Sequence, residues 1–137
     1  MNVGIAVAAD DALVVPTIFD ADSLALAEIG AESRRFAKRV RREEITPPEV
    51  DGGTFTITNL GMFGASRFLP ILNPPQAAIL AVGAVARRPA FDEGGNVVAR
   101  DLMNATLVCD HRIVYGADGA RFLARVRELL EQPGALV

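Results

Sequence analysis

An α/β fold, a two-layer sandwich built on a mixed β-sheet, is predicted by three features of the sequence. Strand-like stretches outnumber helical ones. Two stretches carry an apolar period of three to four residues, enough to cover one face of a sheet. The most apolar stretch, residues 77–85, is short and unbroken, as expected of a strand buried on both faces. A length of 137 residues suits one domain, which buries on the order of two-thirds of its unfolded surface.

Composition narrows the function. Half the residues are hydrophobic, yet no apolar run is long enough to span a bilayer. The N-terminus lacks the basic region and apolar core of a secretory signal. One cysteine, Cys109, excludes an intrachain disulfide framework and fits a reducing, cytoplasmic setting. A net charge of −3 without tryptophan argues against a nucleic-acid binder and against aromatic platforms for single strands.

Taken in order, residues 2–8 and 13–18 read as a hairpin turning at Asp10-Asp11, and Pro16 places the second strand at an edge or ends it early. Asp22 or Ser23 can cap a helix over 24–42 whose apolar stripe is Leu26, Ile29, Phe36, Ala37 and Val40. Its other face carries Arg34, Arg35, Lys38, Arg39, Arg41 and Arg42. An anion site is one reading of that face. A solvated face near the helix C-terminus is the preferred one, because Glu43 and Glu44 follow at once.

Thr46-Pro47-Pro48-Glu49 is a turn or a short capped helical piece, and Thr54, Phe55, Thr56, Ile57 and Thr58 alternate as a strand. The glycine-bounded loop 60–64 holds Met62 and Phe63, either as a lid or contact surface or tucked into the core. Asn73-Pro74-Pro75-Gln76 is a rigid turn before the apolar strand 77–85, which Arg87-Arg88-Pro89 is expected to end. Glu93-Gly94-Gly95-Asn96 turns the chain into a long return strand over 97–109. A helix over 117–132, with Phe122, Leu123, Val126, Leu129 and Leu130 as its buried stripe, is stopped by Pro133-Gly134.

The return strand delivers the chain's single histidine, in Asp110-His111-Arg112, just before Gly116-Ala117 and the last helix. Histidine is the side chain whose ordinary pKa lies nearest neutrality, and a base at a strand end is held by the sheet. Asp110 and Arg112 are expected to pair and fix the turn, and Asn59 to orient the loop after it. Cys109, close to the base in sequence, is expected to face the opposite side of the strand and to pack as a small apolar residue.

These segments together resemble the catalytic domain of the dihydrolipoyl acyltransferases, the core components of 2-oxoacid dehydrogenase complexes. The resemblance rests on Asn2 to Val7, Leu13-Val14-Val15-Pro16, Gly53 to Gly64 (G-T-F-T-I-T-N-L-G-M-F-G), Asn73 to Leu80 (N-P-P-Q-A-A-I-L), and Asp110-His111-Arg112 with Gly116-Ala117. Each motif alone is short; five in register over the whole chain are specific.

The resemblance implies a fold like that of the chloramphenicol acetyltransferases. It implies transfer of an acyl group between a dihydrolipoyl thiol and coenzyme A, both as substrates, with the lipoyl group on a separate domain and no metal. His111 would deprotonate the attacking thiol and Thr58 would donate to the oxyanion, the two coming from different subunits of a homotrimer. Trimers would build a cubic or dodecahedral core through apolar C-terminal residues such as Leu136 and Val137. The partners would be the dehydrogenase and dihydrolipoamide dehydrogenase components. The T-N-L-G-M-F-G loop leans towards acetyl, hence towards a pyruvate dehydrogenase complex.

Two departures stand against the pattern. Tyr115 occupies the position, four after the histidine, where the family carries aspartate or asparagine. The chain also corresponds to the C-terminal part of such a catalytic domain, without the lipoyl and subunit-binding domains. A catalytically silent assembly module or inactive fragment is therefore the alternative.

Overall fold

The computed structural model describes residues 1–9 and 11–136. In chain order the strands are β1 (Val3–Ile5), β2 (Val7–Ala8), β3 (Leu13–Val14), β4 (Thr17–Ile18), β5 (Phe55–Asn59), β6 (Ala78–Val82), β7 (Ala86–Phe91), β8 (Val97–Leu102) and β9 (Ala105–Cys109). The helices are α1 (Leu26–Arg41), between β4 and β5, and α2 (Gly116–Glu131), after β9. Five strands form a mixed sheet in the order β4-β1-β5-β6-β9. β5 runs parallel to β1 and β6, while β4 and β9 are the antiparallel edges. Two small ribbons, β2-β3 and β7-β8, stand apart from it.

The N-terminal hairpin is present, but each of its predicted strands is broken in two. Near the turn β2 pairs with β3, and further out β1 pairs with β4. The break on the return side falls at Val15-Pro16, where proline removes a ladder donor. β4 is an edge of the main sheet, as Pro16 leads one to expect. Asp10 of the predicted turn lies outside the described residues, as do Val137 and the side chain of Leu136 at the apolar tip.

α1 begins later than expected. Asp22 and Ser23 sit in a separate single turn, Ala21–Ser23, and do not cap the helix. The carboxylate of Glu28 instead accepts a 2.7 Å hydrogen bond from the backbone N–H of Ala25, just before Leu26. Of the predicted stripe, Phe36 and Val40 are buried, Ile29 and Ala37 are half-buried, and Leu26 is 75 % exposed. The cationic face is solvated: Arg34, Arg35, Lys38, Arg41 and Arg42 are exposed. Arg39 is half-buried and pairs with Glu49.

Thr46 and Glu49 frame the short helical turn Pro47–Glu49. The backbone N–H and hydroxyl of Thr46 both donate to the Glu49 carboxylate, at 2.9 and 2.7 Å. These donors, assisted by Arg39, hold the Glu49 carboxyl down at about 2.

Residues 97–109 are not one strand. Met103 and Asn104 divide them, so that β8 pairs with β7 while β9 joins the main sheet. Nor does Arg87-Arg88-Pro89 end a strand; it lies inside β7. Proline is tolerated there because a two-stranded ribbon has only edges, and its missing N–H can face solvent. The predicted strand 77–85 contracts to β6, whose Ala78, Ile79, Leu80 and Ala81 are all buried.

α2 spans nearly the predicted residues, but its stripe is only half-covered. Leu123, Val126 and Leu129 are half-buried, whereas Phe122 and Leu130 are 38 % and 51 % exposed. Periodicity identifies the apolar face; it says nothing of how much protein lies against it.

Register assigns the sheet's two faces. Phe55, Ile57, Leu80, Leu107 and Cys109 share one face. That face meets α2, where the rings of Phe55 and Phe122 stand 5.8 Å apart. Thr56, Thr58, Ile79, Ala81, Thr106 and Val108 share the other. There the hydroxyl of Thr56 donates a 2.6 Å hydrogen bond to Oε1 of buried Gln76, the residue ending the Asn-Pro-Pro-Gln turn.

The end of β6 is clamped backbone against backbone. A Cβ on Gly83 would stand 2.4 Å from the Ser66 carbonyl oxygen, and one on Gly61 would stand 2.8 Å from the Gly83 carbonyl oxygen. Asn104 completes the clamp, its Nδ2 donating to the Ser66 oxygen at 3.0 Å. Gly83→Ala is expected to cost about 1–3 kcal/mol, because backbone cannot swing aside as a side chain can. Chemical denaturation should show the midpoint fall with an unchanged slope; a wild-type midpoint would refute the clamp.

Candidate active site

His111 sits in the turn between β9 and α2. The backbone N–H of Asp110 donates to the Ala77 carbonyl at 2.8 Å, tying the strand end to the start of β6. The Asp110 carbonyl accepts from the N–H groups of Ile113 and Val114, at 3.1 and 2.9 Å. Arg112 grips the Asp110 carboxylate with Nε at 2.9 Å and Nη2 at 2.5 Å, and its backbone N–H adds a bond of 3.0 Å. The expected Asp110–Arg112 pair is therefore formed, and His111 projects exposed between its members.

The Arg112 side chain, then its backbone N–H, holds the Asp110 carboxyl down at about 2. A carboxyl depressed in the folded state stabilises it fully above the unfolded value, near 4. That contribution is lost as pH falls through the folded value. A carbon-13 NMR titration should place the Asp110 midpoint near 2 and show it rising towards 4 in Arg112→Ala. An unshifted midpoint in the variant would dissociate Arg112 from the effect.

Cys109 lies on the α2 side of the sheet, its Sγ 3.6 Å from where a Cβ on Gly119 would stand. Burial pushes its thiol up, away from the thiolate that a nucleophile needs. It packs as expected, but for another reason: residues two apart would share a side in a continuous strand, and here β9 ends at Cys109 with its side chain on the α2 face.

Thr58 is half-buried, on the sheet face away from α2. Asn59 ends β5, and its Oδ1 accepts a 2.8 Å hydrogen bond from the backbone N–H of Gly61, shaping the loop that follows. Met62 and Phe63 are 73 % and 70 % exposed, so that loop displays them and does not tuck them into the core. Gly83, Ser66 and Asn104, which anchor it, were not evident from the sequence. The glycine just after an apolar strand was the available signal.

His111 and Thr58 are not brought together within one chain. Thr58 is level with Ala81, which pairs with Thr106. From there the chain runs three residues to the end of β9 at Cys109 and one more to Asp110, just before the histidine. The separation is thus about 13 Å along the strands and about 10 Å across two strand spacings. Two surface cavities do not join them either. A groove of 790 Å³ lies between β8 and α2, lined by Met103, Leu123 and Leu130 among others. A second, of 630 Å³, lies near Val14, Val40 and Pro47. Among the described residues no cluster of three or more His, Cys, Asp or Glu could hold a metal ion, and no helix is long and apolar enough to cross a membrane.

A mixed sheet flanked by two helices, with a histidine on a salt-bridged turn at the end of an edge strand, defines an α/β protein with an exposed candidate base. The family model for the 2-oxoacid dehydrogenases acyltransferase catalytic domain matches residues 1–137, and the chain belongs to that family.

It is 41 % identical over 131 residues to the lipoamide acyltransferase component of a Bacillus subtilis branched-chain alpha-keto acid dehydrogenase complex, covering 96 % of this chain and 31 % of the relative. It is 44 % identical over 137 residues to the succinyltransferase component of a Bartonella vinsonii 2-oxoglutarate dehydrogenase complex, covering 100 % of this chain and 33 % of the relative. The chain thus spans about a third of the length of these relatives.

Among solved structures it superposes with a TM-score of 0.90 and 35 % identity on Azotobacter vinelandii dihydrolipoamide acetyltransferase, covering 95 % of this chain and 53 % of that one. The roles of a serine, a histidine 52 positions later and an asparagine four beyond that were investigated in that enzyme's catalytic mechanism. Thr58 and His111 are 53 positions apart, and Tyr115 stands four beyond. The cubic core of a pyruvate dehydrogenase multienzyme complex also matches, with a TM-score of 0.90 and 35 % identity, covering 95 % of this chain and 53 % of that one.

Proposed function

We propose that the chain is the acyl-transferring part of a 2-oxoacid dehydrogenase acyltransferase, exchanging an acyl group between a dihydrolipoyl thiol and coenzyme A. The carrying observation is His111, held at the end of β9 by the Asp110–Arg112 pair in a chain of this family. In the forward direction the coenzyme A thiol attacks the thioester carbonyl of the acyl-lipoyl group. His111 takes the thiol proton, the new C–S bond forms, and Thr58 donates to the oxyanion. The intermediate then collapses, the old C–S bond breaks, and the proton passes from His111 to the departing lipoyl thiolate.

A free thiol has a pKa about two units above imidazole, so full proton transfer costs roughly 3 kcal/mol. Alignment of the two substrates supplies much of the remaining rate.

Topology supports a site shared between two copies, since one chain leaves Thr58 and His111 at opposite ends of the sheet. That in turn favours a homotrimer with three such sites, and a larger core beyond it. The finer reading of the fold is a two-layer sandwich of the chloramphenicol acetyltransferase kind, with both helices on one face. Residues 1–137 correspond to the C-terminal part of the catalytic domain, with the lipoyl and subunit-binding domains elsewhere. Acetyl is the acyl group proposed, on the T-N-L-G-M-F-G loop. The relatives described above carry acetyl, succinyl and branched-chain names at similar identity.

The test is acetyl transfer from acetyl coenzyme A to dihydrolipoamide, with His111→Ala as control. Transfer that the control abolishes supports the proposal. Tyr115, in place of the amide at the matching offset in the Azotobacter enzyme, favours the second reading, a silent assembly module. A trimer without transfer activity would establish it.

A further inference from the structure

Tyr115 stands beside the histidine, not merely near it in sequence. The two rings meet edge to face, with centroids 5.6 Å apart and planes inclined by 78°. The hydrogen bonds that shape the turn run between Asp110, Arg112 and the backbone. The ring contact described for His111 is with Tyr115. An exposed imidazole on a turn has a broad, nearly two-fold torsion about its ring bond, so something must select its orientation if it is to act as a base.

The backbone beneath Tyr115 is anchored. Its carbonyl accepts from the N–H groups of Asp118 and Gly119, at 3.0 and 3.1 Å, at the start of α2. Arg121 holds Asp118 in the same turn at 2.8 Å. The phenol ring therefore projects from the N-cap position of α2.

We infer that Tyr115 is a positioning residue whose ring holds the His111 imidazole in one orientation by edge contact. It takes over by aromatic geometry the place that an amide occupies in the Azotobacter enzyme. The contact itself is independent of the proposed chemistry, whereas its consequence for turnover rests on His111 being the base. The ring does this work and the hydroxyl does not, which separates the idea from a hydrogen-bonding role.

The test uses the full chain with Tyr115→Ala and Tyr115→Phe. His111 is the chain's one histidine, so its imidazole C–H resonances are identified without ambiguity. In Tyr115→Ala those resonances are expected to lose their ring-current shift and move to random-coil positions. The kcat of acetyl transfer should fall about tenfold or more with KM unchanged. Tyr115→Phe should restore most of both.

Resonances that stay in place in Tyr115→Ala would overturn the contact. Resonances that move while kcat holds would overturn the positioning role. A phenylalanine variant that behaves like alanine would assign the effect to the hydroxyl and sink the inference. A fully active His111→Ala would instead remove the proposed function, and the resonance comparison would still decide the contact.

Discussion

His111→Ala is expected to lower acetyl transfer to dihydrolipoamide by about 10²–10⁴-fold, the usual contribution of a positioned general base. The loss should fall on kcat, because the imidazole acts on a proton that moves only in the reaction and contributes little to holding either substrate. Stability should stay within about 0.5 kcal/mol of wild type, since the side chain is exposed on a turn. The Asp110–Arg112 pair that shapes the turn remains intact in the variant. Circular dichroism and denaturation beside the rate would separate lost chemistry from lost fold. Wild-type turnover in a folded variant would remove His111 from the mechanism, whereas no turnover in either protein would leave the assembly module standing.

The turn around His111 was legible in the sequence because it is local. Asp110 and Arg112 flank the histidine within two residues, and a strand-glycine-helix pattern surrounds them, so the sheet need not be known to place them. Pro16 was legible for the same reason, since the constraint lies in the residue itself. The errors came where tertiary pairing decides. Residues 97–109 carry strand propensity throughout, and nothing local says that Met103 and Asn104 release one sheet and enter another. Pro89 ends a strand in a central position but not in an isolated ribbon, and the ribbon is a fact of topology. The stripe of α2 was assigned to the correct face, yet Phe122 and Leu130 stay partly exposed: the Phe122 ring meets Phe55, and Leu130 borders an open groove.

Thr58 marks the boundary of what the sequence yields. As a threonine in a strand it needs no chemical reason to be there, and only its place in the family's segment singles it out. Register then adds what the sequence lacks: Thr58 faces away from α2, level with Thr106 and far from the turn that bears His111. With the proposed roles of oxyanion donor and base, groups so separated would have to meet across an interface between two copies, and a head-to-tail contact of that kind closes into a ring when its rotation permits.

Thr58→Ala is accordingly expected to lower transfer by about 10²–10³-fold, the worth of one oxyanion donor. Thr58→Ser should keep most of the rate, because the hydroxyl is retained. The decisive form pairs this variant with His111→Ala. Each alone is crippled at every site. In a co-expressed mixture, an interface between the histidine of a Thr58→Ala copy and the threonine of a His111→Ala copy is intact. Random assortment places such a pair at about a quarter of the interfaces, so the mixture should regain about that fraction of wild-type activity. If both groups acted within one chain, mixing would recover nothing, because every chain would lack one of them. Recovery therefore depends on the sheet's topology as much as on the chemistry, and its absence in a properly mixed oligomer would overturn the shared site even if both single variants were inactive.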